Sequence, residues 1–349
     1  MYSLLRTLLF RLDPETAHQF TLQLLRLGGI EPIHSILRAI YSVPSKPVDA
    51  FGLTFKNPLG IAAGYDKNAI AIKGLSALGF GHIEVGTVTL KPQPGNPRPR
   101  VFRLLEDEAV INRMGFPSKG MQQVSRKLLR PGLDTTSEIT RSTRPAAGNE
   151  MIIGVNLGKN KDTPLDNAVE DYISLMKTFA SLADYLTINI SSPNTVGLRR
   201  LQGREMLENL LGGINLERET LNLKDLPILV KISPDLNAQE LDDAIGVILD
   251  KSMDGIIATN TTLAREGLRS KYQNESGGLS GSPLRVHSEA VLDQVVKRVN
   301  SKIPIISVGG IMNPDDAKRR LDMGATLIQL YSGLIYQGPG LGKRILDDS

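Results

Sequence analysis

Residues 227–233 read PILVKIS, a short run of apolar, mostly β-branched side chains broken by one lysine, Lys231. A near-continuous apolar strand is buried on both faces, which is the mark of a parallel sheet. The unit recurs along the chain. The other strand candidates are LGIAA (59–63), HIEVGTV (82–88), MIIGVNL (151–157), YLTINIS (185–191), GIIATN (255–260), PIISVGG (304–310) and TLIQLYS (326–332). Helical patterns follow, such as DNAVEDYISLMKTFASLA at 166–183 and AQELDDAIGVILD at 238–250. Eight such units predict an α/β protein of the (β/α)8 TIM barrel type over residues 47–349. A doubly wound sheet is the alternative. It rarely uses eight strands and usually has a glycine-rich first turn, which is missing here.

Two stretches depart from the repeat. Residues 90–116 form a long excursion after the second strand. Residues 131–149, PGLDTTSEITRSTRPAAGN, are polar and without aromatics, and read as a surface insertion with no direct catalytic role.

Composition narrows the chemistry. The chain has 349 residues, 41% hydrophobic and 22% charged, which suits a globular protein with a core. It has no cysteine, so disulfides, thiolate-ligated metals and thiol catalysis are excluded. No metal site is expected. The formal net charge of +4 allows an anionic substrate, anionic lipid or nucleic acid as partner, or an ordinary solvated surface. No apolar run reaches the ~18 residues of a membrane span, and the N-terminus reads as lacking a signal peptide.

In this fold the site lies at the C-terminal ends of the strands. Those ends carry Lys67, Thr87, Asn156, Asn189, Lys231, Thr259 and Asn260. A lysine ending an apolar buried strand needs an anion nearby, so Lys231 is the most informative residue, with a structural ion pair as its plain alternative. Asparagines offer both donors and acceptors to a planar ligand with amide-like edges. The last two strands end in Gly309-Gly310 and Tyr331-Ser332, the usual place of a phosphate site. The loop NISSPNTVGLRR (189–200) reads as a lid with a hydroxyl turned inward.

Residues 1–46 stand apart. Leu4, Leu5, Leu8, Leu9 and Leu12 recur at helical spacing over 3–12. Asp13-Pro14 reads as the cap and first position of a second helix, which Gly28-Gly29 stops. A third apolar stretch holds Ile33, Ile36, Leu37 and Ile40, and SVPSKP (42–47) reads as a linker. Such basic, amphipathic helices either lie in a bilayer interface or pack on the main domain.

At these residues the sequence resembles the quinone-dependent class of dihydroorotate dehydrogenases over nearly its whole length. The resemblance is carried by LDPETAH (12–18), NPLGIAAGYDKN (57–68), GTVTLKPQPGNPRPRVFRL (86–104), INRMGF (111–116), GVNLGKNKDT (154–163), NISSPNT (189–195), VKISPDL (230–236), ATNTT (258–262), GGLSG (277–281), SVGGI (307–311) and QLYSG (329–333). It implies an FMN barrel that oxidises dihydroorotate to orotate in pyrimidine biosynthesis and passes the electrons to a membrane quinone. FMN would be held by Ala63, Gly64, Tyr65, Asp66, Lys67, Thr87, Asn156, Asn189, Lys231, Thr259, Gly281, Gly310, Tyr331 and Ser332. Orotate would be held by Lys67, Asn112, Arg113, Met114, Gly115, Phe116, Asn189, Asn194, Asn260 and Thr261. Ser192 would be the catalytic base, where the soluble class uses cysteine. His18 and Arg103 would lie by the quinone tunnel.

The resemblance also implies residues 1–46 as the domain admitting the quinone. The protein would be a monomer held peripherally on the cytoplasmic side of the cell membrane, with no nucleic-acid partner. Three rival readings stand beside it. They are a related flavin barrel reducing uridine in RNA, a membrane-bound scaffold without activity, and an isomerase barrel using only the phosphate site.

Overall fold

A computed structural model of the chain describes residues 2–129 and 151–348. The insertion read at 131–149 lies outside them. In chain order the helices α1–α3 are Tyr2–Leu9, Pro14–Leu27 and Ile33–Ile40. Strands β1–β4 are Val48–Ala50, Leu53–Phe55, Leu59–Ile61 and His82–Val88, with α4 (Ile72–Ser76) between the last two. Strands β5 (Val101–Leu104) and β6 (Ala109–Asn112) precede α5 (Met121–Leu128). Then come β7 (Ile152–Leu157), α6 (Ala168–Phe179), β8 (Tyr185–Asn189), α7 (Arg204–Thr220), β9 (Ile228–Ile232) and α8 (Ala238–Asp250). The chain continues through β10 (Gly255–Ala258), β11 (Gly278–Gly281), α9 (Leu284–Val299), β12 (Ile305–Val308), α10 (Pro314–Asp322) and β13 (Leu327–Leu330). It ends in α11 (Ser332–Gln337) and α12 (Leu341–Asp348).

Eight parallel strands close a barrel in the order β3-β4-β7-β8-β9-β10-β12-β13. They are the eight runs read from the apolar pattern. Outward side chains such as Ile83, Val85, Leu186, Ile188, Val230 and Ile232 pack under the helices with Leu75, Tyr172, Leu207, Leu211 and Leu292. The side chains of Asp13, Asn237 and Asn313 cap the N-termini of α2, α8 and α10. At α8, Asn237 and Glu240 form a reciprocal capping box, with contacts of 3.0 and 2.8 Å.

The interior is layered. At its base Phe55, Ile152, Tyr185, Leu229, Ile306 and Leu327 form a separate apolar cluster, sealed below by the β1–β2 hairpin. Two glycines make room for large rings there. A Cβ on Gly60 would come within 2.1 Å of the His82 imidazole, and one on Gly154 within 2.1 Å of the Tyr185 ring. Above this layer the inward positions turn polar, with Glu84, Asn156, Thr187, Lys231 and Gln329 all buried.

The excursion at 90–116 holds structure that its sequence does not announce. Strands β5 and β6 form an antiparallel sheet with the later β11, in the order β11-β6-β5. This sheet stands outside the barrel ring and presents Asn112 and Gly281.

The first helix is shorter than the pattern over 3–12. It stops at Leu9, and the chain then tightens into three-residue turns, with the Arg11 and Leu12 amides donating to the Leu8 and Leu9 carbonyls at 3.2 Å, before Asp13, whose place ahead of Pro14 disfavours helix. The Arg103 guanidinium also takes the carbonyls of Leu9 (3.1 Å) and Leu12. Asp13 caps α2 as expected, accepting at 3.0 Å from the amides of Glu15 and Thr16.

Candidate active site

A cavity opens at the C-terminal ends of the barrel strands. Its wall holds Ala63, Gly64, Lys67, Thr87, Asn189, Lys231, Thr259, Gly281, Gly310, Tyr331 and Ser332. Asn112, Met114, Gly115, Phe116, Ser192, Asn194, Asn260 and Thr261 line the same space. Residues from all over the chain are gathered there because each ends a strand or begins the loop after it. Four of the expected residues stand off the wall. Asn156 is fully buried beneath it. The carboxylate of Asp66 is used up locally, accepting from the amides of Asn68, Ile70 and Ala71 at 3.3, 3.0 and 2.8 Å. Arg113 is paired with Glu275 at 2.5 Å and lies over the Phe102 ring. Tyr65 stacks edge-on between Tyr331 and His18, with centroids 5.8 and 5.4 Å away.

The floor is a chain of amides. Asn156 donates to Glu84 at 2.7 Å and accepts from Thr87 at 2.6 Å and from Asn189 at 3.0 Å. Asn189 accepts in turn from the Ser191 hydroxyl at 3.0 Å. Sequence reasoning missed Glu84 and Gln329. Glu84 had the signal that singled out Lys231: a charge inside an apolar strand, here HIEVGTV.

Lysine and serine occupy opposite loops. The Lys67 ammonium donates to the Gly64 carbonyl at 2.5 Å. Burial pulls its pKa down to about 8, opposed by the carboxylates of Glu15 and Asp66. Burial also lowers Lys231, with Glu84 acting against the shift. Ser192 is buried, and its Oγ accepts from the Asn194 amide at 3.2 Å. Asn194 reaches Asn112 at 3.2 Å, tying this loop to β6. Three residues on from Ser192, the buried Thr195 hydroxyl has no hydrogen-bond partner.

Gly309 and Gly310 have φ of +119° and +74°, and a Cβ on Gly310 would fall 2.4 Å from the Arg285 Cα. The turn therefore brings backbone amides to a place where no side chain fits. Arg320 buttresses it from behind, donating to the Gly309 carbonyl at 2.8 Å.

A second cavity of about 370 Å3 is apolar and shares Lys67, Asn112, Met114 and Tyr331 with the first. Its walls come from α1, α2, β5 and α11, with Leu5, Leu9, Phe10, Leu24, Val101, Leu334 and Ile335. His18 and Arg103 both line it. Burial, with the nearby Lys67 charge, lowers His18 to about 3, so its ring is neutral, and its buried Nε2 has no partner.

A family model described as dihydroorotate dehydrogenase matches residues 47–348. The chain belongs to the dihydroorotate dehydrogenase family. Two relatives carry the name dihydroorotate dehydrogenase (quinone). That of Halorhodospira halophila is 47% identical over 345 residues, covering 98% of this chain and 95% of the relative. That of Roseiflexus sp. is 46% identical over 348 residues, covering 99% and 92%. Among solved structures, the dihydroorotate dehydrogenase of Eimeria tenella in complex with ferulenol superposes with a TM-score of 0.83. It is 37% identical over 98% of this chain and 93% of that one. The likeness to the dihydroorotate dehydrogenases runs through the N-terminal helices as well as the barrel.

Proposed function

We propose that this chain oxidises dihydroorotate to orotate with bound FMN, a step of pyrimidine biosynthesis, and hands the electrons to a quinone. The observation that carries the reading is the common wall. A polar cavity fit for a flavin and an anionic ring meets an apolar one at Lys67, Asn112, Met114 and Tyr331.

The residues present suit FMN. The Gly309–Gly310 turn and the Ser332 end of α11 offer amides to the phosphate. The amide floor suits the hydrogen-bonding edge of the ring. Lys231 is a buried cation facing the cavity, placed to stabilise negative charge on the reduced ring. When bound, FMN supplies the hydride acceptor.

Dihydroorotate loses a proton and a hydride from adjacent carbons. Lys67 is the cation for its carboxylate, and Asn112, Asn189, Asn194 and Asn260 match its amide and imide edges with donors and acceptors. Ser192 takes the proton. The Asn194 amide occupies one lone pair of its Oγ and so orients the hydroxyl. A serine base must pass its proton on, and the buried Thr195 hydroxyl on the same loop, which has no protein partner, is suited to receive it through a bridging water.

The apolar cavity is the quinone's passage. Neutral His18, with a free ring nitrogen, faces it beside Arg103. The surface outside supports a bilayer mouth. Of the eighteen large hydrophobic side chains exposed among the described residues, eleven fall between Leu4 and Ile40, including Leu4 at 76% and Leu8 at 60%. Arg11, Arg26 and Arg38 are exposed alongside them. Residues 1–46 thus act as the unit that admits quinone, and 47–349 as the catalytic barrel, in a monomer lying peripherally on the cytoplasmic face of the membrane. No helix among the described residues is long and apolar enough to cross a bilayer.

The test is spectroscopic. Purified protein should be yellow, should bleach with dihydroorotate in the absence of oxygen, and should regain colour with a lipophilic quinone. Colourless protein, or colour indifferent to dihydroorotate, would reject the reading.

A further inference from the structure

Glu84 has no part in the chemistry above, yet it lies fully buried inside the barrel. Its three partners are Asn156 at 2.7 Å, Tyr185 at 3.2 Å and Gln329 at 3.1 Å, and none of them is a cation. A buried carboxylate held only by neutral donors is costly to desolvate, and an apolar side chain would fill the same space without that cost.

We propose that Glu84 is a positioning residue for the flavin site: its carboxylate fixes which way the floor amides point and supplies the negative charge opposite Lys231. This rests on the functional reading given above.

The orientation follows from acceptor chemistry. An amide group looks alike when turned by 180°, so a chain of asparagines has no preferred direction of its own. An ionised carboxylate only accepts. Asn156 must therefore turn its Nδ2 toward Glu84, which leaves its Oδ1 for Thr87 and Asn189. Asn189 then spends its Nδ2 downward and turns its Oδ1 toward Ser191, with Asn260 at a longer 3.4 Å. Glu84 thus sets the Asn156 amide from below, and through it, together with the Ser191 backbone N–H that donates to Asn189 Oδ1 at 3.3 Å, the donor and acceptor pattern offered to the ligands.

The charge argument runs beside it. Lys231 stands opposite Asn189 in register and lines the cavity, buried to 5% exposure. Glu84 is the carboxylate whose field reaches it. A negative charge beneath the ring opposes the extra electron density of the reduced form, so Glu84 holds the flavin's reduction potential down and favours passing electrons on.

Two substitutions separate the limbs. Glu84→Gln keeps an acceptor for Asn156 and removes the charge, while Glu84→Leu removes both. The midpoint potential of the bound flavin is read by spectroscopic titration against a reference dye, and orotate affinity by flavin absorbance. Glu84→Gln should shift the potential upward with orotate affinity within about threefold of the parent, under 1 kcal/mol. Glu84→Leu, shown folded by circular dichroism, should also weaken orotate more than about tenfold. An unmoved potential in Glu84→Gln overturns the proposal, as does a folded Glu84→Leu that binds orotate like the parent. Should Glu84→Leu fail to fold, the Glu84→Gln potential alone decides. A parent protein without flavin, or with flavin blind to dihydroorotate, overturns the functional reading instead.

Discussion

Arg199 meets Asp235 at 2.7 Å, and this pair joins the loop that carries Ser192 to the loop that follows β9. The same guanidinium donates to the carbonyls of Ser191 at 3.1 Å and Thr261 at 3.0 Å. Asp235 accepts in addition from the Thr262 hydroxyl and, at 2.9 Å, from the Leu263 amide. Three loops are thereby fastened by one arginine. Removing it frees the catalytic loop without touching the flavin cradle. Arg199→Ala should retain FMN yet lower kcat/KM for dihydroorotate about tenfold, the loss of charge-assisted hydrogen bonds. Faster amide exchange over 190–197 should accompany it. Unchanged turnover and exchange would mean that the loop is held by other contacts.

Ser192→Ala should bind FMN and orotate as before. Flavin reduction should slow by about 10²–10⁴-fold, the usual share of a general base. Stopped-flow reduction at the parent rate would remove Ser192 from the role.

Lys67 gives a pH dependence with a definite sign. Its pKa of about 8 is below the ordinary lysine value, so the free protein loses this cation as pH rises through 8. Binding of an anionic substrate needs the protonated form. kcat/KM should therefore be level below about pH 7 and fall about tenfold per unit above 8, if Lys67 alone titrates. Lys67→Met should be much weaker and should lose that limb. A profile still flat at pH 9 would contradict the assignment.

The exposed apolar side chains of the N-terminal helices make a surface prediction. Leu4→Glu, Leu8→Glu and Ile36→Glu replace groups exposed by 76%, 60% and 56%, so little core packing is lost. Combined, they should abolish flotation with anionic liposomes and depress turnover with a long-chain quinone, while reduction by dihydroorotate stays within about twofold. Flotation equal to the parent would leave these helices as a cover for the barrel.

Much of this was legible in the residues. Eight apolar runs became the eight barrel strands because strands buried on both faces leave little choice of side chain. Strand-end polarity likewise located Lys67, Asn189 and Lys231 on one cavity, whereas Ser192, which lines it too, was singled out by the family resemblance. Strands β5, β6 and β11 were not legible. VFRL and AVIN are four residues long, and GLSG has two glycines, so their strand form comes from antiparallel pairing, of β5 with β6 in a local hairpin and of β6 with β11 across more than 160 residues. Nor did the sequence of α2, PETAHQFTLQLLRL, say which side would face protein. Ala17 and Leu22 turn inward, while Phe20, Leu24 and Leu27 remain exposed. Glu84 was legible by the Lys231 argument, but its meaning depends on Asn156 lying 2.7 Å away, a relation between separate strands.

The central claim is that two half-reactions meet at the wall shared by the polar and apolar cavities. One anaerobic experiment tests it most directly. Dihydroorotate is added to the purified protein and the flavin band is followed. A lipophilic quinone is then added to the parent and to His18→Ala. The account predicts bleaching in both proteins, prompt recovery of colour in the parent, and recovery slowed by about tenfold or more in His18→Ala, where the passage loses its polar contact. Bleaching followed by equal recovery in the two proteins would contradict the assigned quinone route, and no bleaching in either would contradict the function itself.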